Sequence, residues 1–75
     1  MKITVETGRW AARYVPEEIL TLELPEDATV QDAVDAIGLP PDETGLATID
    51  GKAVLRDYVL SDGEKVKLYA AIIGG

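Results

Sequence analysis

The residues of this 75-residue chain best suited to chemistry stand at its end, Ile72-Ile73-Gly74-Gly75. Glycine loses the most backbone entropy on ordering and reaches backbone angles closed to other residues. A diglycine end is therefore a side-chain-free stem, thin enough to enter a narrow channel on another protein. A free carboxylate on Gly75, with a reference pKa of about 3.3–3.7, is ionised at neutral pH. The expectation is a reactive group at Gly75, with Tyr69, Ile72, Ile73 and Gly74 as the segment a partner grips. Ile72 and Ile73 are apolar where exposure is expected, which burial in a partner explains better than solvent does; the alternative is that they fold against the sheet.

Other chemistries find little support. The chain has no Cys and no His, so disulfides, thiolate nucleophiles, zinc-cysteine sites and imidazole general bases are excluded. No metal or cofactor is expected on the chain. Glu17-Glu18, Glu26-Asp27 and Asp42-Glu43 are adjacent acids in loops; their spacing is not that of a calcium loop, and a solvated face is the simpler account. The net charge of −7, from 14 acidic and 7 basic residues, argues against nucleic acid and anionic membrane as partners and would steer the chain toward a basic surface. No apolar run approaches the roughly 18 residues of a membrane span, and Met1-Lys2-Ile3 opens directly into a strand pattern, so a cytoplasmic protein is expected.

The elements that must position this end follow from periodicity. A hydrophobic content of 47% in so short a chain fits one soluble domain rather than a disordered segment. Ile3 and Val5 alternate with Thr4 and Glu6, the signature of a half-buried strand, which Gly8 breaks. Gly8 to Glu17 reads as a long connection whose Trp10 and Tyr14 fold back over the core edge or, alternatively, form a partner patch. Leu20, Leu22 and Leu24 alternate in a second strand that Pro25 ends. Thr29 suits a helix N-cap and Asp32 the third helical position, while Val30, Ala33, Val34 and Ile37 form one apolar stripe. Gly38 is placed to cap that helix, and Pro40-Pro41 bar its continuation.

Asp42 to Gly45 reads as loop. Leu46–Ile49 and Lys52–Leu55 read as a hairpin around Asp50-Gly51, and Arg56 to Leu60 as irregular, with one helical turn at most. After the turn Ser61-Asp62-Gly63, the last strand runs from Glu64 to Tyr69, with Val66 and Leu68 inward and Lys65, Lys67 and Tyr69 outward. The order strand, strand, helix, strand, strand, strand predicts an α+β ubiquitin-like β-grasp. Its mixed sheet has five (or four) strands, with one helix across one face and the last strand pairing parallel to the first. The expected division is a β-grasp domain over residues 1–69 and a tail over residues 70–75. Ile3, Val5, Leu22, Val30, Val34, Ile37, Ile49, Val66 and Leu68 are the expected core.

At this level the chain resembles the small sulfur-carrier proteins of molybdopterin and thiamine biosynthesis. The matching residues are Leu24-Pro25-Glu26-Asp27-Ala28-Thr29-Val30, Ile49-Asp50-Gly51-Lys52, Leu60-Ser61-Asp62-Gly63-Glu64-Lys65-Val66 and Gly74-Gly75, in that order over nearly the whole chain. The resemblance implies that an ATP-dependent activating enzyme of the ubiquitin-activating type adenylates the terminal glycine, Gly75. It also implies that sulfur replaces the adenylate to give a thiocarboxylate. A synthase then receives the sulfur, such as the molybdopterin-synthase large subunit or thiazole synthase. ATP and the sulfur donor would be bound by the partner enzyme, and the chain would be a carrier rather than an enzyme. It lacks a phosphate-cradling glycine loop of its own.

The chain departs from the family in having Ala70-Ala71 where proline or phenylalanine is common, and in its Trp10-Ala11-Ala12-Arg13-Tyr14 segment. The length of the Gly8–Glu17 loop is nearer the molybdopterin type. Two alternatives to a sulfur carrier stay open: a ubiquitin-like modifier joined to target lysines, and a β-grasp binding module with an idle tail.

Overall fold

The computed structural model describes residues 1–71. Strand β1 (Lys2–Glu6) pairs antiparallel with β2 (Ile19–Glu23), and helix α1 (Val30–Ala36) follows. Strands β3 (Thr44–Ile49) and β4 (Lys52–Val54) form an antiparallel hairpin, and β5 (Lys65–Ala70) returns to the middle of the sheet. The strand order β2-β1-β5-β3-β4 puts β5 parallel to β1 and antiparallel to β3. This is the expected ubiquitin-like β-grasp, with five strands and one helix.

Local chemistry explains the boundaries. Thr29 caps α1 reciprocally with Asp32: its Oγ1 accepts from the Asp32 N–H at 3.2 Å, and Asp32 Oδ2 accepts from the Thr29 N–H at 2.8 Å. At the other end Gly38 takes φ +80°, its N–H donates to Asp35 O, and the Leu39 N–H donates to Val34 O. These two bonds are the Schellman arrangement, closed by burial of Leu39. Asp50 and Gly51 both take positive φ, as the two-residue hairpin turn requires.

The alternations converge on one core. Ile3, Val5, Val30, Val34, Val66 and Leu68 are almost wholly buried, joined by Ala33, Ala47, Ile49 and Leu60. Burying a side chain of this size stabilises the fold by about 1.5–3 kcal/mol each. Leu22 and Ile37, expected in the core, are only half-buried. Leu22 lies on edge strand β2, and Ile37 stands just past the end of a seven-residue helix, so each lacks neighbours on one side. The Gly8–Glu17 connection is not featureless: Arg9–Ala11 form a 3-10 turn, Ala11 is buried, and Trp10 and Tyr14 pack against the core edge.

Two further differences bear on the end of the chain. Asp42 to Gly45 is not loop: Pro41–Glu43 form a 3-10 turn and β3 starts at Thr44. Strand β5 runs one residue past the expected boundary at Tyr69, because Ala70 pairs with Thr44.

Candidate functional site

The described part of the C-terminal end is built from the central strand outward. Val66 and Leu68 anchor β5 in the core, and β1 and β3 hold it on both sides. Its entry is tied as well: the Lys2 N–H donates to Asp62 Oδ1 at 2.7 Å, and the Gly63 N–H donates to Lys2 O at 2.8 Å. The alternate residues Lys65, Lys67 and Tyr69 lie on the sheet face away from the core. There Glu6 Oε1 and Oε2 meet Lys65 Nζ at 2.8 Å and Lys67 Nζ at 3.6 Å. The hydrogen bond from Lys65, helped by the charges of both lysines against a smaller desolvation effect, holds the Glu6 carboxyl below its ordinary range. The Lys67 ammonium also sits 5.3 Å from the centre of the Tyr69 ring.

Beyond Tyr69 the strand is gripped by the segment that precedes β3. The Ala71 N–H donates to the Glu43 carbonyl at 2.9 Å. The β3–β5 register shifts between Thr44 and Ala47, a bulge that lets Gly45 lie against Ala70 and Ala71. A Cβ at Gly45 would come within 2.8 Å of the Ala70 carbonyl oxygen, so only glycine fits this approach. Glu43 is itself held by its side chain, which accepts a hydrogen bond from the Tyr14 hydroxyl. Arg56 also fixes the same segment: Nη2 donates to the Thr44 and Pro41 carbonyls, and Nη1 donates to Gln31 Oε1 of α1 at 2.8 Å. Four separated parts of the chain thus set the point from which Ala71 leaves the sheet.

A family model described as Mut7-C ubiquitin matches residues 6–72. The chain belongs to the Mut7-C ubiquitin family. The fold of this Mut7-C ubiquitin chain is shared by SAMP1 from Haloferax volcanii, which is 19% identical with full coverage of both chains and a TM-score of 0.77. It is shared by a Pyrococcus furiosus protein described as molybdopterin converting factor, subunit 1. That protein is 22% identical, with 96% of this chain and 99% of that one covered and a TM-score of 0.77. A Caldiarchaeum subterraneum ubiquitin is 27% identical, with 100% and 98% covered and a TM-score of 0.65. Among curated proteins none matches the chain in sequence.

Of the expected site residues, Tyr69 stands on the exposed sheet face, while Ile72, Ile73, Gly74 and Gly75 lie outside the described residues. Among the described residues, acidic side chains do not gather into a group able to hold a metal, and no helix is long and apolar enough to cross a membrane. Sequence reasoning missed Glu43, Gly45 and Arg56 in this Mut7-C ubiquitin chain. Arg56 reaches acceptors 12, 15 and 25 residues away, and no local period encodes such distances. The usable signal was Gly45, a glycine just ahead of a strand pattern without a turn partner.

Proposed function

We propose that this chain is a sulfur carrier whose Gly75 carboxylate is adenylated by an ATP-dependent, ubiquitin-activating-type enzyme and converted to a thiocarboxylate. The observation that carries this reading is the placement of β5. The central strand delivers the backbone at a gripped Ala71, and only Ile72, Ile73 and Gly74 separate that point from Gly75. A carrier needs a rigid body that docks and a narrow end that reacts, and function on a shared fold resides in such a site rather than in the fold.

The chemistry divides between two proteins. One carboxylate oxygen of Gly75 attacks the α-phosphorus of ATP, pyrophosphate leaves, and an acyl adenylate forms. A sulfide-level donor adds to the acyl carbon and expels AMP, leaving sulfur where one oxygen stood. The activating enzyme supplies the ATP site and the sulfur donor; the carrier supplies the aimed acyl group and is not itself an enzyme. The acceptor is a cofactor-forming synthase, molybdopterin-type ahead of thiamine-type. The long Gly8–Glu17 connection and the Pyrococcus furiosus relative described as a molybdopterin converting factor subunit support that order. ATP-dependent activation fits a cytoplasmic location.

A second reading is favoured by the names of two relatives, a small archaeal modifier protein and a ubiquitin. The same activated glycine, met by a lysine amine, gives an amide-linked modifier. Intact-mass measurement after incubation with the activating enzyme, ATP and a sulfur donor separates the two. A carrier gains about 16 Da, one sulfur for one oxygen, whereas a modifier appears as covalent adducts on other proteins. An unchanged mass with no adducts contradicts both and leaves a binding module.

A further inference from the structure

We propose that Tyr14 and Glu43 are positioning residues that fix where the backbone leaves the sheet at Ala71, and so aim the carrier end; the proposal rests on the carrier reading above. Glu43 is bonded at both ends of the residue. Its carbonyl accepts from the Ala71 N–H at 2.9 Å, and its carboxylate accepts from the Tyr14 hydroxyl. The β3–β5 ladder already ends at the Thr44–Ala70 pair, so the Glu43–Ala71 bond extends it by one residue outside the regular sheet. A backbone bond at a strand end frays unless something fixes the acceptor. Here Tyr14 and Arg56 both fix it: Arg56 takes the Pro41 and Thr44 carbonyls, and Tyr14 takes the Glu43 side chain.

Tyr14 is well suited to this. Its ring packs against the core edge, so its hydroxyl is presented from a fixed base. It comes from the Gly8–Glu17 connection, 29 residues from Glu43 in sequence. That connection therefore has a task beyond covering the core: it braces the segment against which the end of β5 lies. Gly75 lies four residues beyond Ala71 in sequence, so fixing where the backbone leaves the sheet narrows the region the reacting carboxylate must search once the body is docked. Misplacing a reacting group by about 1 Å can cost about a hundredfold in rate.

The test combines amide exchange with kinetics on the full 75-residue chain. Tyr14→Phe keeps the ring and deletes the hydroxyl, whereas Glu43→Gln keeps an acceptor oxygen. Exchange of the Ala71 amide should quicken about tenfold in Tyr14→Phe, the loss expected for one hydrogen bond to a charged group. The Val66 and Leu68 amides should keep their protection, and Glu43→Gln should stay near the parent. In adenylation assays Tyr14→Phe should lower kcat severalfold with KM for the carrier unchanged, because the body still docks; Glu43→Gln should retain most of the parental rate. Unchanged Ala71 exchange in Tyr14→Phe overturns the proposal. So does an opened Ala71 with an unchanged kcat, and the carrier reading then stands without it. A parent chain that is never adenylated overturns the carrier reading itself and takes this proposal with it.

Discussion

Gly45 and Ala71 are so close that neither backbone leaves room for a side chain between them: a Cβ on Gly45 would lie 2.9 Å from Ala71 Cα. The neighbouring contact, 2.8 Å to the Ala70 carbonyl oxygen, is also to backbone and cannot rotate away. Gly45→Ala must therefore push the end of β5 off β3. The expected cost is about 1–3 kcal/mol, the range for overpacking a tight site. Chemical denaturation measures it, and loss of Ala71 amide protection should accompany it. A variant of parental stability with Ala71 still protected would mean that the close approach is not needed.

Arg56 holds three acceptors on three elements, α1, the Pro41–Glu43 turn and β3, so its loss should be felt well beyond its own turn. Arg56→Ala leaves the Thr44 and Pro41 carbonyls and Gln31 Oε1 without their donor. The expected destabilisation is about 1.5–3 kcal/mol, against changes within about 0.5 kcal/mol for a substitution at an exposed arginine such as Arg9. Arg56→Lys should recover only part, since an ammonium cannot reproduce the planar fork. Equal midpoints for Arg56→Ala and Arg9→Ala in urea would contradict the bracing role.

Much of this architecture was legible in the sequence. Strict alternation in Lys2–Glu6 and Lys65–Tyr69 fixes which faces of β1 and β5 are buried, because a slip of one residue would expose every apolar side chain. Thr29, Gly38 and Asp50-Gly51 announce their turns because capping and positive φ are local demands. The grip on Ala71 was not legible. Glu43 looked like half of a solvated acidic pair and Arg56 like part of an irregular stretch. Their roles arise only when the fold brings Tyr14, Gly45, Arg56 and Ala71 together. Leu22 and Ile37 were misjudged for a related reason: periodicity tells which face is apolar but not how completely neighbours cover it.

The ion pairs of Glu6 make stability sensitive to acid. Lys65 and Lys67 depress the Glu6 pKa below its ordinary value of 4.5, so between the two values the unfolded chain binds more protons than the folded one. Stability then rises with pH through that window, and the contribution is fully present above pH 4.5 and lost as pH falls through the folded value. Glu6→Gln should remove this part of the acid sensitivity, and added salt should weaken it in the parent because both lysines are about half-exposed. Melting curves between pH 3 and 6, about the range over which carboxylates titrate, provide the check. Parallel curves for parent and variant would show that Glu6 contributes nothing.

The central claim is that function resides in the carboxylate of Gly75, and ATP–pyrophosphate exchange with the cognate activating enzyme tests it most directly. Three forms are compared: the parent chain, a chain lacking Gly75, and one carrying a short extension after it. Thermal melting should be the same for all three, since the buried core and the Glu43–Ala71 bond lie upstream of the altered residue. The parent should support exchange, and the two altered chains should lose it. Exchange that persists at the parental rate after deletion or extension would contradict the account.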